Sequence, residues 1–67
     1  MKRWDVVKNE NVENPNIDAF LDEVVAVCRK HGLSITHEDG HGAFEVSPFK
    51  EDYAEWLLYA NDSTGER

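Results

Sequence analysis

Cys28, His31, His37 and His41 are the side chains of this chain best suited to bind a metal or attack a substrate. Zinc takes about four nitrogen, sulfur or oxygen ligands in a tetrahedral shell. His37 and His41 bracket Glu38, Asp39 and Gly40. If that segment closes a hairpin, the two histidines stand on opposite faces and do not share an ion. The sequence contains no CxxC, HExxH or DxDxDG pattern, so no metal and no other cofactor is expected. Cys28 and His31 are i, i+3 neighbours on one helix. A thiolate nucleophile needs an adjacent base and an exposed electropositive pocket, whereas Cys28 falls within an apolar stripe and is expected to be buried and inert. Gly40-His41-Gly42 lacks the spacing of a phosphate-binding loop. The chain has 14 acidic residues, and nothing in the sequence builds a pocket that would pair two of them for acid–base work. The expectation is a protein without catalytic residues.

The elements that position these side chains follow from periodicity. Residues 3–8 have β character, with Trp4 and Val6 on one face of a short N-terminal strand. Residues 9–16 carry Asn9, Asn11, Asn14, Pro15 and Asn16 and read as a loop. Asn16 is the expected N-cap of a helix. Its stripe is Ile17, Phe20, Leu21, Val24, Val27, Cys28 and His31, and Gly32 supplies the left-handed C-terminal residue. Acids stand early and Arg29 and Lys30 late, opposing the helix dipole at both ends.

Asp39-Gly40 is a strong type I′ turn signal. Centring a hairpin there pairs Ile35 with Phe44, Thr36 with Ala43, and Glu38 with His41. Leu33, Ile35, His37, Phe44 and Val46 then share one face, and Ser34, Thr36, Glu38 and Glu45 the other. His37 would stand at the rim of the apolar face. Ser47-Pro48 breaks the strand. A second helix follows, from Pro48 or Glu51 to about Ala60, with Phe49, Tyr53, Trp56, Leu57 and Ala60 as its stripe. Glu51, Asp52 and Glu55 face water; Leu58 and Tyr59 fall off the stripe. An isolated hairpin is marginal in water, so the helices are expected to cover its apolar face.

The resulting fold class is α+β: a two-layer sandwich, helix–β-hairpin–helix, with a short N-terminal strand. At 67 residues the chain forms a single domain. Its ordered core is expected over about 16–60, with 61–67 a frayed tail. A domain of this size buries only about 60% of its unfolded surface, which leaves little room for an enclosed cavity. No apolar run is long enough to span a membrane, no apolar signal core follows the basic first residues, and a lone thiol suits a reducing cytoplasm.

The formal net charge is −7, and it is unevenly placed. Residues 1–30 hold six acids and five bases, whereas residues 31–66 hold eight acids and one base, Lys50. Such a surface repels phosphate backbones, so direct nucleic-acid binding is disfavoured and a protein partner with a basic surface is favoured. The alternative is that the charge only keeps a small protein soluble.

The stretch from His31 to Val46, HGLSITHEDGHGAFEV, together with Glu55-Trp56-Leu57, resembles a recurring type of small accessory protein encoded by tailed bacteriophages. The resemblance covers roughly residues 16–60. It implies a host-cell cytoplasmic setting and a role in binding: modulating a host enzyme or defence complex, for instance by occupying a basic nucleic-acid channel. It implies no catalytic residues. Candidate partner-binding residues, taken from the charge pattern and the off-stripe aromatic, are Glu38, Asp39, Glu45, Asp52, Glu55 and Tyr59. A competing expectation is a self-associating structural protein, a homodimer formed through open sheet edges. A third is a histidine-based metal protein or thiol enzyme.

Overall fold

The computed structural model describes residues 1–65, in the order β1 (Lys2–Asp5), β2 (Glu10–Glu13), α1 (Pro15–His31), β3 (Leu33–His37), β4 (Phe44–Pro48) and α2 (Glu51–Leu58). This is an α+β domain with two small antiparallel sheets, β1–β2 and β3–β4. The segment expected to be a loop over 9–16 contains β2, so the N-terminal strand is half of a second hairpin. No helix among the described residues is long and apolar enough to cross a membrane.

α1 is capped two residues earlier than the expected Asn16. Asn14 is the N-cap, and its side-chain oxygen accepts the Ile17 N–H at 3.3 Å. Pro15 then takes a position where its missing N–H is no loss. Gly32 ends the helix at φ 69°, as the sequence suggests. Leu21, Val25 and Cys28 of α1 and Ala54 of α2 are the buried apolar core among the described residues, and α1 packs on α2. Phe20 and Val27, expected on the stripe, are exposed. The stripe is narrower than the sequence implies: among the described residues the elements packed closely on α1 are α2 and β3, while β1 reaches its first turn through Arg3 and Asp18.

Both hairpins close with the same device. Asp5 accepts the N–H groups of Val7 and Lys8 through its carboxylate, and its carbonyl accepts the Asn9 N–H at 2.8 Å. Glu38 accepts the N–H groups of Gly40 and His41, and its carbonyl accepts the Gly42 N–H at 2.9 Å. The last loop residue is left-handed in each case, Asn9 at φ 57° and Gly42 at φ 72°. An acid at the first position and Asn or Gly four residues later therefore marks these turns. In β3–β4 this wider loop replaces the two-residue turn expected at Asp39-Gly40. The register moves by two: His37 pairs with Phe44, Thr36 with Glu45 and Ile35 with Val46. A shift of two keeps each side chain on its face, so the division into an apolar and a polar face stands while the expected pairs do not.

The face turned inward is the opposite of the one expected. Ser34 is the buried residue of β3 and Thr36 is half-buried, whereas Leu33 and Ile35 are exposed. Ile35 and Phe44 are thus neither a cross-strand pair nor buried. The cause lies at the start of α2. Lys50, its N-cap, offers no side-chain cap, and the Lys50 N–H donates to Ser34 Oγ at 3.0 Å. An orphan donor in a helix's first turn must find an acceptor, and Ser34 supplies it from the polar face. Among the described residues β4 packs against β3 alone, so Phe44 and Val46 stay open to solvent.

The chain end expected to fray is held down through Thr64; residues 66–67 lie outside the described residues. Asp62 is 0% exposed. Its N–H donates to the Trp4 carbonyl at 2.7 Å and its carbonyl accepts the Val6 N–H at 2.9 Å, forming a parallel bridge beside Asp5. Its carboxylate accepts from Asn14 Nδ2, Thr64 N and Thr64 Oγ1. Arg3 completes this polar centre. Its guanidinium donates to the carbonyls of Leu58 and Ala60 at 3.0 and 2.8 Å and to Asp18 at 2.5 Å. A cation therefore caps the C-terminus of α2, whose own last turn has no basic residue. Trp4, on the face it shares with Val6, is exposed because Arg3 and Asp5 occupy the inner side of β1.

Candidate functional site

The exposed face of α2 carries Asp52, Glu55, Trp56 and Tyr59 at i, i+3, i+4 and i+7, the spacing of one helical surface. Trp56 reaches toward β3, where its ring lies 4.8 Å from that of His37. His37 Nδ1 is 3.5 Å from Asp39 Oδ1. Ile35, Phe44, Leu57 and Tyr59 continue the surface, enclosing a groove of about 300 Å³. Large apolar side chains remain open around it: Phe44 is 84% exposed, Val46 71% and Tyr59 68%. Large apolar side chains left exposed beside a groove make this surface a candidate contact site.

The six residues singled out by sequence fall into different roles. Tyr59 lines the groove, and Asp52 and Glu55 share its side of α2. Asp39 is exposed beside His37. Glu45 is exposed on the face of β4 opposite Phe44 and Val46. Glu38 turns inward on its own loop, with His41 Nδ1 3.2 Å from its carboxylate. The residues the sequence reading missed are Ile35, Phe44 and Trp56, assigned there to the core. The signal that places them outside is Ser34, a small hydroxyl residue opposite a helix start that lacks a capping side chain.

The groove can hold an apolar or aromatic anchor between rings, with carboxylates at its margin to meet cationic groups. Cys28 is buried away from it, and among the described residues no group of three or more His, Cys, Asp and Glu could hold a metal ion. The chain matches no protein-family model, no curated protein and no solved structure.

Three carboxylates gain partners in the folded chain that favour their charged form. The Met1 ammonium and then Arg3 hold the Asp18 carboxyl below its ordinary 3.8. The backbone N–H of His41, then that of Gly40, hold Glu38 below 4.5. The Arg29 guanidinium, bonded to Glu51 across α1 and α2, holds Glu51 below 4.5. A folded pKa below the unfolded one contributes stability that is fully present above the unfolded value and is lost as pH falls through the folded one. The melting temperature is therefore expected to hold from neutrality down to about pH 5 and to fall below about pH 4. In a series of melts against pH, Asp18→Asn should show a shallower acid decline than wild type. An unchanged decline would remove Asp18 from the account.

Proposed function

We propose that this chain is a small acidic protein-binding module, without catalysis of its own, that docks the face formed by α2 and the β3–β4 hairpin on a basic surface of a protein partner. The observation that supports this reading is the aromatic groove beside Trp56 and Tyr59 with Asp52 and Glu55 on the same helix face. An apolar centre with a charged rim is the usual anatomy of a contact site. A phage-encoded accessory protein of this kind would act in the host cytoplasm on a host enzyme or defence complex, and a basic nucleic-acid channel is a surface that fits an acidic rim.

Rim charges act mainly on association rate and salt sensitivity. Asp52→Lys with Glu55→Lys is expected to slow association about tenfold at low salt and to flatten its salt dependence. Both residues are exposed, so melting should change little. The measurement is binding of a partner recovered by pull-down from a bacterial lysate, at about 50 and 200 mM salt. Equal salt slopes for wild type and variant would take α2 out of the interface. Self-association is the second reading, favoured by the exposure of Phe44 and Val46 on an edge strand. A molar mass that rises with concentration would support it.

A further inference from the structure

β4 has one edge on β3 and one edge open, and the ladder fixes which groups face outward. The Glu38 N–H donates to the Ala43 carbonyl and the Phe49 N–H to the Gly32 carbonyl. Hydrogen-bonded pairs alternate along an antiparallel ladder. Ser34 with Ser47, and Thr36 with Glu45, are thus the intervening bonded pairs. The N–H and C=O groups of Phe44 and Val46 therefore point away from β3. Among the described residues no other strand pairs with β4, and Pro48, with no N–H, ends the edge. An open row of donors and acceptors is a template for an added strand.

Side-chain chemistry along this edge selects the strand. Phe44 and Val46 stand on the apolar face beside Ile35, and Glu45 stands between them on the other face. A segment that pairs with both Phe44 and Val46 places two side chains on the apolar face and one beside Glu45. Opposite charges across strands stabilise and like charges destabilise. We infer that the open edge of β4 takes up an extended segment of a partner protein with the pattern apolar–basic–apolar, its Lys or Arg set against Glu45. This rests on the proposed reading of the α2 and β3–β4 surface as a dock for a basic protein, and it supplies a mode of docking along the edge that borders that surface. A second copy of this chain is disfavoured as the occupant. The two-fold register that uses all four outward groups pairs Phe44 with Val46 of the other copy, and so sets Glu45 against the other copy's Glu45.

The probes are two short blocked peptides, Thr-Val-Lys-Val-Thr and Thr-Val-Glu-Val-Thr, titrated by NMR into the intact protein. The lysine peptide is expected to bind at least about tenfold more tightly and to slow exchange of the Phe44 and Val46 amide protons. Glu45→Lys should invert the preference. Val46→Pro removes an N–H that the pairing with β3 does not use, and proline is tolerated there on an edge; both peptides should then lose binding while the circular dichroism spectrum is kept. If that variant fails to fold, N-methylation of the two peptide valines tests the same bonds on wild type and should abolish binding. A lysine peptide that binds Val46→Pro, or binds in N-methylated form, as tightly as wild type binds the parent peptide would overturn the edge mode while leaving the acidic dock intact. Absence of binding by either peptide, with a dimer that Val46→Pro abolishes, would overturn both and make a second copy the occupant.

Discussion

Arg3→Leu is expected to destabilise the domain by about 1–3 kcal/mol for each of the Leu58 and Ala60 carbonyls left without its donor, a large share of what so small a domain has. A chain of 67 residues has only about 3–10 kcal/mol of stability in all, at roughly 0.05–0.15 kcal/mol per residue. Arg3 is 3% exposed, and its guanidinium joins three parts of the chain: β1, the C-terminus of α2 through Leu58 and Ala60, and the first turn of α1 through Asp18. Leucine fills the space but leaves the Leu58 and Ala60 carbonyls without this donor and removes the cation from the end of the α2 dipole. Arg3→Lys keeps the charge but not the planar fork that spans two carbonyls and a carboxylate, so its loss should be intermediate. Urea unfolding followed by circular dichroism measures both. A midpoint for Arg3→Leu within error of wild type would mean that the polar centre contributes nothing.

That polar centre explains why part of the fold was legible in the sequence and part was not. The helical period of Leu21 and Cys28, the stop at Gly32 and the alternation of Leu33, Ile35 and His37 are local patterns, and the elements they imply are present. The inward face of β3 depends on Ser34 meeting Lys50, and the ordering of Asp62 depends on Trp4, Val6 and Asn14. Contacts of such sequence separation leave no periodic trace. Counting Ile35 and Phe44 as core assumes that apolar residues fill the interior, but most exposed surface in any small protein is apolar. Here Arg3, Asp5 and Asp62 take interior positions, and large apolar side chains are left outside. The candidate site was legible to the same extent: Tyr59, Asp52 and Glu55 share a helix face that spacing alone defines, whereas Phe44 and Trp56 join them only through the inverted hairpin.

The inversion separates function from stability at single residues, and Phe44→Ser should expose that separation. Phe44 is 84% exposed, so the fold gains almost nothing from its ring, and an exposed substitution of this sort falls within about 0.5 kcal/mol of wild type. Leu21, 5% exposed on α1, is the control: Leu21→Ala should cost about 2–5 kcal/mol, from lost burial and the cavity left behind. Partner binding should respond in the reverse order. If the groove seats an apolar anchor, Phe44→Ser removes one wall of it and should weaken binding by about 2 kcal/mol, roughly 30-fold in Kd. Leu21→Ala, measured where it remains folded, should bind as wild type does. Urea midpoints and titrations of the same preparations give both quantities. A Phe44→Ser midpoint that falls as far as that of Leu21→Ala would mean that the ring is packed in solution and the groove is closed. Unchanged binding by a fully folded Phe44→Ser protein would move the contact elsewhere on the acidic face, to residues such as Asp52 and Glu55 whose charge, rather than shape, would then select the partner.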